Sequence, residues 1–142
     1  YPWGNSLDAG EGRANISDRS RLAIYQNYGP LLEDVASWSD GFVNTAPARS
    51  LKPSKLGLHH MIGNVLEWCS DTYSKDFFQD IEENRMPGEN QTSGERHLRS
   101  LRGGSFKSGA KDSRISRKWK MPDDEKAPRY DDVGFRMCLD PR

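Results

Sequence analysis

The sequence predicts a loop-rich folded domain that mixes a short helix with a few short strands around a small aromatic core. Three observations lead there. Leu, Ile, Val and Phe make up 25 of the 142 residues, too few for a large aliphatic core. Charge nevertheless balances, with 21 basic against 21 acidic residues, and four Trp, five Tyr, five Phe and thirteen Gly argue against a disordered chain. Gly, Pro, Asn, Asp and Ser are spread so evenly that long regular elements have little room.

The spacing predicts a helix over Ser20–Asn27. Ser17 or Asp18 can cap it, Leu22, Ile24 and Tyr25 give a partial apolar stripe, and Gly29-Pro30 ends it. A further helical turn is expected at Leu31–Ala36. Strands are expected at Leu66–Cys69, Leu98–Leu101 and Val133–Leu139, short apolar runs bounded by Gly or polar residues. Residues 67–95 hold eight acids against two bases, whereas residues 96–120 hold nine bases against Asp112 alone. The two runs are expected to meet in space.

Several function classes drop out. No apolar run is long enough for a transmembrane segment, and Tyr1-Pro2-Trp3-Gly4 lacks the pattern of a signal peptide. Cys69 and Cys138 form no CxxC motif, allow at most one bridge, and read as packing residues. His59 and His60 are adjacent, so an extended backbone points them to opposite faces and they cannot share a zinc ion, even with His97. Neither a P-loop nor a Gly-x-Ser-x-Gly elbow is present, and the glycines of Arg102-Gly103-Gly104-Ser105 are expected to serve close packing or positive φ. Neutral overall charge and the adjoining acidic run argue against nucleic acid as a partner of the basic stretch.

Eight blocks then coincide in order: Tyr1-Pro2-Trp3-Gly4-Asn5, Ala14-Asn15-Ile16, Asp40-Gly41-Phe42, Thr45-Ala46-Pro47, Gly57-Leu58, Met61 to Trp68 (MIGNVLEW), Leu101 to Phe106 (LRGGSF) and Gly134-Phe135-Arg136. Together they resemble the formylglycine-generating-enzyme, or sulfatase-modifying-factor, family. The resemblance implies an α+β fold related to C-type lectins, with low regular secondary structure and bound calcium. It further implies that residues 1–142 are the C-terminal portion of one such domain, whose N-terminal segment is a missing partner, and it favours an extracellular or periplasmic location.

Calcium takes six to eight oxygen ligands from irregular loops. The family pattern implies one site from the Asn15 and Asp40 side chains with the Ile16 and Phe42 carbonyls. A second would use the Gly63 and Val65 carbonyls and the Glu67 carboxylate. There His60 stands where the family has Asn or Asp, so that site is expected to be weak, rearranged or empty, with Glu67 free to bond amides of its own turn. The family's oxidase holds copper(I) through two cysteines, and the pattern puts Ser108 and Ser113 at those positions. Serine hydroxyls do not hold copper(I), so no copper is expected. Leu66 likewise replaces a cleft Trp.

The reading is therefore a non-catalytic, calcium-stabilised module for a protein or small-molecule ligand, or a scaffold. Ser105, Arg114, Arg117, Trp119 and Tyr130 are its candidate contact residues, most of them in the polar segment Lys107–Val133. The alternative is an enzyme, either a divergent formylglycine-generating oxidase or the C-terminal domain of an ergothioneine-type sulfoxide synthase.

Overall fold

A computed structural model describes residues 1–25, 34–84, 86, 97–124 and 126–139. After a 3-10 turn at Asp8–Gly10 come helix α1 (Arg19–Tyr25), strand β1 (Leu66–Thr72), helix α2 (Phe77–Glu82), and strands β2 (Leu98–Arg102), β3 (Trp119–Pro122) and β4 (Val133–Gly134). The class is α+β with little regular structure, as expected.

The strands form one mixed sheet in the order β3-β2-β1-β4. β1 pairs antiparallel with β2, Trp68 opposite Leu101, and the register shifts between Trp68 and Thr72. β2 pairs antiparallel with β3, Leu101 opposite Trp119, while β4 lies parallel to β1. Trp68, Leu101 and Trp119 therefore stand in one row on one face, because opposed residues share a face. The β1–β2 ladder also sets the start of the acidic run beside the basic run, Glu67 opposite Arg102.

The main core lies away from the sheet. Ala14, Ile16, Ala36, Trp38 and Ile62 form it, with Trp3 and Leu7 packed on its edge. Three irregular segments thus meet there, and their backbones are tied directly: the Ala36 N–H donates to the Ser17 carbonyl at 2.9 Å and the Arg19 N–H to the Trp38 carbonyl at 3.1 Å. Such cross-ties replace the ladders that so few strands cannot supply.

Several expectations need correction. Helix α1 begins at Arg19 and is capped by Asp18, whose Oδ1 accepts the Ser20 N–H at 2.8 Å; residues 26 and 27 lie outside the described residues. Of the turn expected at Leu31–Ala36, residues 31–33 lie outside them and 34–36 are not helical. The closing strand is two residues long, not seven, and leaves Met137 and Leu139 exposed. Cys138 is consequently exposed and Cys69 half-buried; both thiols are free. The His pair is not extended either, since His60 has φ 51°.

Candidate functional site

Two clusters of candidate residues flank a single bridge. Asn15 and Gly63 pair as an isolated parallel bridge, the Asn64 N–H donating to the Asn15 carbonyl at 2.7 Å. Gly63 must be glycine there: φ is 79°, and a Cβ would stand 2.0 Å from the Asn15 carbonyl oxygen.

On one side of the bridge, Asn15 is fully buried. Its Nδ2 donates to the Asn44 carbonyl at 2.8 Å, which ties it to the loop after Asp40. Asn64, at φ 65°, completes the clamp, its Oδ1 accepting from the Ala46 N–H at 2.8 Å and its Nδ2 donating to the Ala46 carbonyl at 3.2 Å. Asp40 Oδ1 accepts the Phe42 N–H at 2.7 Å, folding the Asp-Gly turn onto itself. Asn15 Oδ1 and Asp40 Oδ2 are left buried without any hydrogen-bond partner. Burial, with the charge of Asp18 adding to it, pushes the Asp40 carboxyl up to about 7. Ile16 is sealed in the core at 1 % exposure.

On the other side Glu67 is fully engaged. Arg136 donates from Nε to Oε2 at 2.7 Å and from Nη2 to Oε1 at 2.6 Å, a bidentate pair, and Nη2 also reaches the carbonyls of His59 and His60. Glu67 therefore bonds a distant guanidinium, not amides of its own turn. Val65 lies beside β4, 3.0 Å from where a Cβ on Gly134 would sit. His59 Nδ1 is 2.8 Å from the Leu51 carbonyl and His60 Nε2 is 3.0 Å from that of Pro47, so the two rings serve different loops.

The third cluster follows β2. Gly103 and Gly104 have φ 91° and 71°, which turns the chain sharply into Ser105. The Ser105 Oγ donates to Asp132 Oδ2 at 2.8 Å, and its N–H donates to Ser108 Oγ at 2.9 Å. Ser113 Oγ donates to the Gly109 carbonyl at 2.8 Å. The Ser108 and Ser113 hydroxyl oxygens both lie close to one point, 3.2 and 3.3 Å from where a Cβ on Gly104 would be. Ser105, Ser108, Leu66, Trp119, Lys107 and Asp132 line a cavity of about 450 Å³ here. Trp119 Nε1 is buried without an acceptor.

Of the candidate contact residues, Ser105 and Trp119 share this cavity. Arg117 stacks on Trp119 at 4.9 Å and pairs with Asp112 at 3.1 Å, at the cavity's rim. Tyr130 lines a separate cavity of about 400 Å³ with Trp68 and Met121, and Arg114 lines neither, its Nε donating to the Lys111 carbonyl. Sequence reasoning missed Asp18, Asn64, Asp132 and Arg136. Asn64 and Arg136 stood within quoted blocks and Asp18 was read only as a helix cap, whereas Asp132 gave no signal beyond residue type. Among the described residues, no group of three His, Cys, Asp or Glu side chains gathers at one point, so any cation site here must draw on carbonyl and amide oxygens.

The sheet, the glycine turn and the clamped loops define a member of a known class. Residues 1–141 match the sulfatase-modifying factor enzyme 1-like domain, and the chain belongs to that family. It is 36 % identical over 77 residues to a formylglycine-generating enzyme of Thermomonospora curvata, covering 54 % of this chain and 22 % of that protein. A formylglycine-generating enzyme of Streptomyces coelicolor is 35 % identical over 106 residues, 75 % of this chain and 29 % of its own length. A serine/threonine-protein kinase Pkn1 of Chlamydia trachomatis is 41 % identical over 75 residues, 51 % of this chain and 12 % of the kinase. The chain thus spans less than a third of the length of these relatives. Among solved structures, PvdO from Pseudomonas aeruginosa shares the fold at a TM-score of 0.51 and 24 % identity, over 70 % of this chain and 36 % of PvdO. No helix among the described residues is long and apolar enough to cross a membrane.

Proposed function

We propose that this chain is a non-catalytic, calcium-stabilised member of its family that binds a small polar ligand or a protein side chain in the cavity beside Ser105. The observation that carries the reading is the serine pair. Ser108 and Ser113 converge on Gly104, and each hydroxyl is already used in a hydrogen bond within the loop. At the positions where the family resemblance calls for two thiolates, the chain offers two protonated, hard oxygens, which are poor copper(I) ligands. Neither Cys69 nor Cys138 lines the cavity, and burial holds the Cys69 thiol above its usual range, away from the thiolate form.

Calcium fits the Asn15 cluster. Two buried oxygens without partners, one of them a carboxylate, are the kind of donors a hard cation satisfies. Asn15 and Asp40 would hold it with the Ile16 and Phe42 carbonyls, and the ion would supply positive charge beside the Asp40 and Asp18 carboxyls. The cavity's own chemistry suits a polar ligand, because Ser105, Ser108, Lys107 and Asp132 line it beside Trp119.

Copper(I) titration against a competing chelator, run beside an assay for conversion of a cysteine peptide to formylglycine, tests the reading. Neither activity is expected from the native chain. The Ser108→Cys/Ser113→Cys variant is expected to gain copper(I) binding, since its two sulfurs would converge. Stoichiometric copper(I) binding with peptide oxidation by the native chain would establish the oxidase alternative, to which the names of the relatives point.

A further inference from the structure

The cavity of about 400 Å³ beside Tyr130 shares no lining residue with the one beside Ser105. The sheet contributes Trp68, Met121 and Val133 to it. Leu66 opposes Val133, Trp68 opposes Leu101, and Met121 opposes Arg99, so strand alternation puts all three on one sheet face. The loop before β4 contributes Arg129 and Tyr130. Contacts on both sides hold that loop to the sheet. Ahead of it, Asp123 Oδ2 accepts from Arg99 Nε at 2.7 Å and the Asp123 N–H donates to the His97 carbonyl at 3.2 Å. Behind it, the Asp132 carbonyl accepts the Leu66 N–H at 2.8 Å, and its carboxylate accepts the Ser105 hydroxyl. The cavity is therefore formed before a ligand arrives, which lowers the cost of binding.

The charged groups of the lining select what enters. Arg129 and Tyr130 are exposed, and among the described residues none pairs with the Arg129 guanidinium or bonds the Tyr130 hydroxyl. Asp124, the carboxylate among the lining residues, is engaged, its Oδ1 accepting the Lys126 N–H at 2.9 Å. One guanidinium is left over, a planar fork that matches a carboxylate through two parallel hydrogen bonds. A phosphate monoester would bring a second negative charge beside Asp124 with a single cation to balance it, and a cationic ligand would meet Arg129 unpaired. The other lining residues named are apolar or aromatic, and Trp68 and Tyr130 supply flat ring surface.

We infer that this cavity binds a small aromatic carboxylate, with its carboxylate on Arg129 and its ring against Trp68 and Tyr130. The inference does not depend on what the Ser105 cavity binds or on calcium at Asp40.

The probe is β-naphthoate, with β-naphthylmethanol as its uncharged match and β-naphthyl phosphate as its more highly charged one. Each is titrated into the full chain and followed by NMR, the Trp68 indole N–H signal being assigned with Trp68→Phe. The carboxylate should shift that signal and bind about tenfold or more tightly than either the alcohol or the phosphate. Arg129→Gln should bring the acid down to the alcohol's affinity, in a protein whose spectrum is otherwise that of the native fold. Tyr130→Ala should weaken acid and alcohol alike, and Lys52→Gln, which removes an exposed charge elsewhere, should change neither. The inference is overturned by the absence of β-naphthoate binding, by equal affinity for acid and alcohol, or by tighter binding of the phosphate. A preference that survives Arg129→Gln, an affinity indifferent to Tyr130→Ala, or a titration that leaves the Trp68 signal in place overturns it as well.

Discussion

The two positions where the family resemblance implies a cation differ in what surrounds their carboxylates, although a single backbone bridge, Asn15 to Gly63, joins them. Beside Asp40 the charge balance is open: Asp40 Oδ2 and Asn15 Oδ1 are buried without partners, and Asp18 adds a second carboxylate. Around Glu67 it is closed from within, because Arg136 bonds both carboxylate oxygens and two carbonyls besides. A guanidinium supplies fixed charge and directed donors without a free ligand. The same fold thus meets one need with an arginine and leaves the Asp40 carboxylate oxygen Oδ2 without a partner. The difference lies in which loop happens to receive a cationic side chain.

The bridge itself is the most sensitive point of the comparison. Gly63→Ala puts a methyl group 2.0 Å from the Asn15 carbonyl oxygen at a φ of 79°, so the bridge must part. The expected loss is about 4 kcal/mol or more in urea unfolding, and both clusters should fail together. A loss under about 1 kcal/mol would mean that the two regions are not joined this way. Arg136→Ala comes next. The pair's side chains are 32 % and 21 % exposed, so removing the arginine strands a half-buried carboxylate and two carbonyls, at about 2–3 kcal/mol. That variant should leave calcium-dependent stabilisation at the Asp40 side unchanged.

How much of this was legible beforehand follows from where each signal resides. Leu66 and Leu98 begin strands that short apolar runs announce. β3 was missed because Lys118-Trp119-Lys120-Met121-Pro122 alternates only briefly and ends in proline, and its pairing with β2 decides the matter. α2 was missed because its apolar residues do not mark its inner face. Phe78 is 76 % exposed and Asp80 is the residue it buries, held by the Ser74 hydroxyl at 2.6 Å. Val133–Leu139 reads as a strand locally, yet Arg136 turns inward to Glu67 and the ladder stops at Gly134. At the site, the quoted blocks single out Asn15, Asp40 and Glu67 along the chain, but Arg136 and Glu67 are 69 residues apart, and no local pattern pairs them. Asp132 at the Ser105 hydroxyl is hidden for the same reason.

Calcium addition sharpens the contrast by stoichiometry. Calorimetry should return one site, not two. At a hundredfold excess over Kd the chain should gain about 2.7 kcal/mol, roughly 8 °C in thermal midpoint. Chelation should reverse the gain. Asp40→Asn keeps the size of the side chain and removes the charge, so it should abolish most of the effect. Two equivalent sites, or a gain that survives Asp40→Asn, would show that Arg136 does not take the second ion's place.

The smallest expected effect is the most discriminating. Glu67→Gln leaves one oxygen to accept from Arg136 and a side chain of the same shape; it removes the charge and turns the second acceptor into an NH2 donor. If the guanidinium works chiefly through directed hydrogen bonds, the loss should be about 1 kcal/mol, well below that of Arg136→Ala, because a neutral acceptor still holds one of its donors. Calcium stoichiometry should stay at one. Were Glu67 a calcium ligand in solution, the same substitution would instead cut the measured affinity or remove a site while costing little in the calcium-free state. Titrating Glu67→Gln beside Asp40→Asn therefore separates an internal cation from a bound one: the first variant shifts stability without touching calcium, and the second removes the calcium-dependent gain.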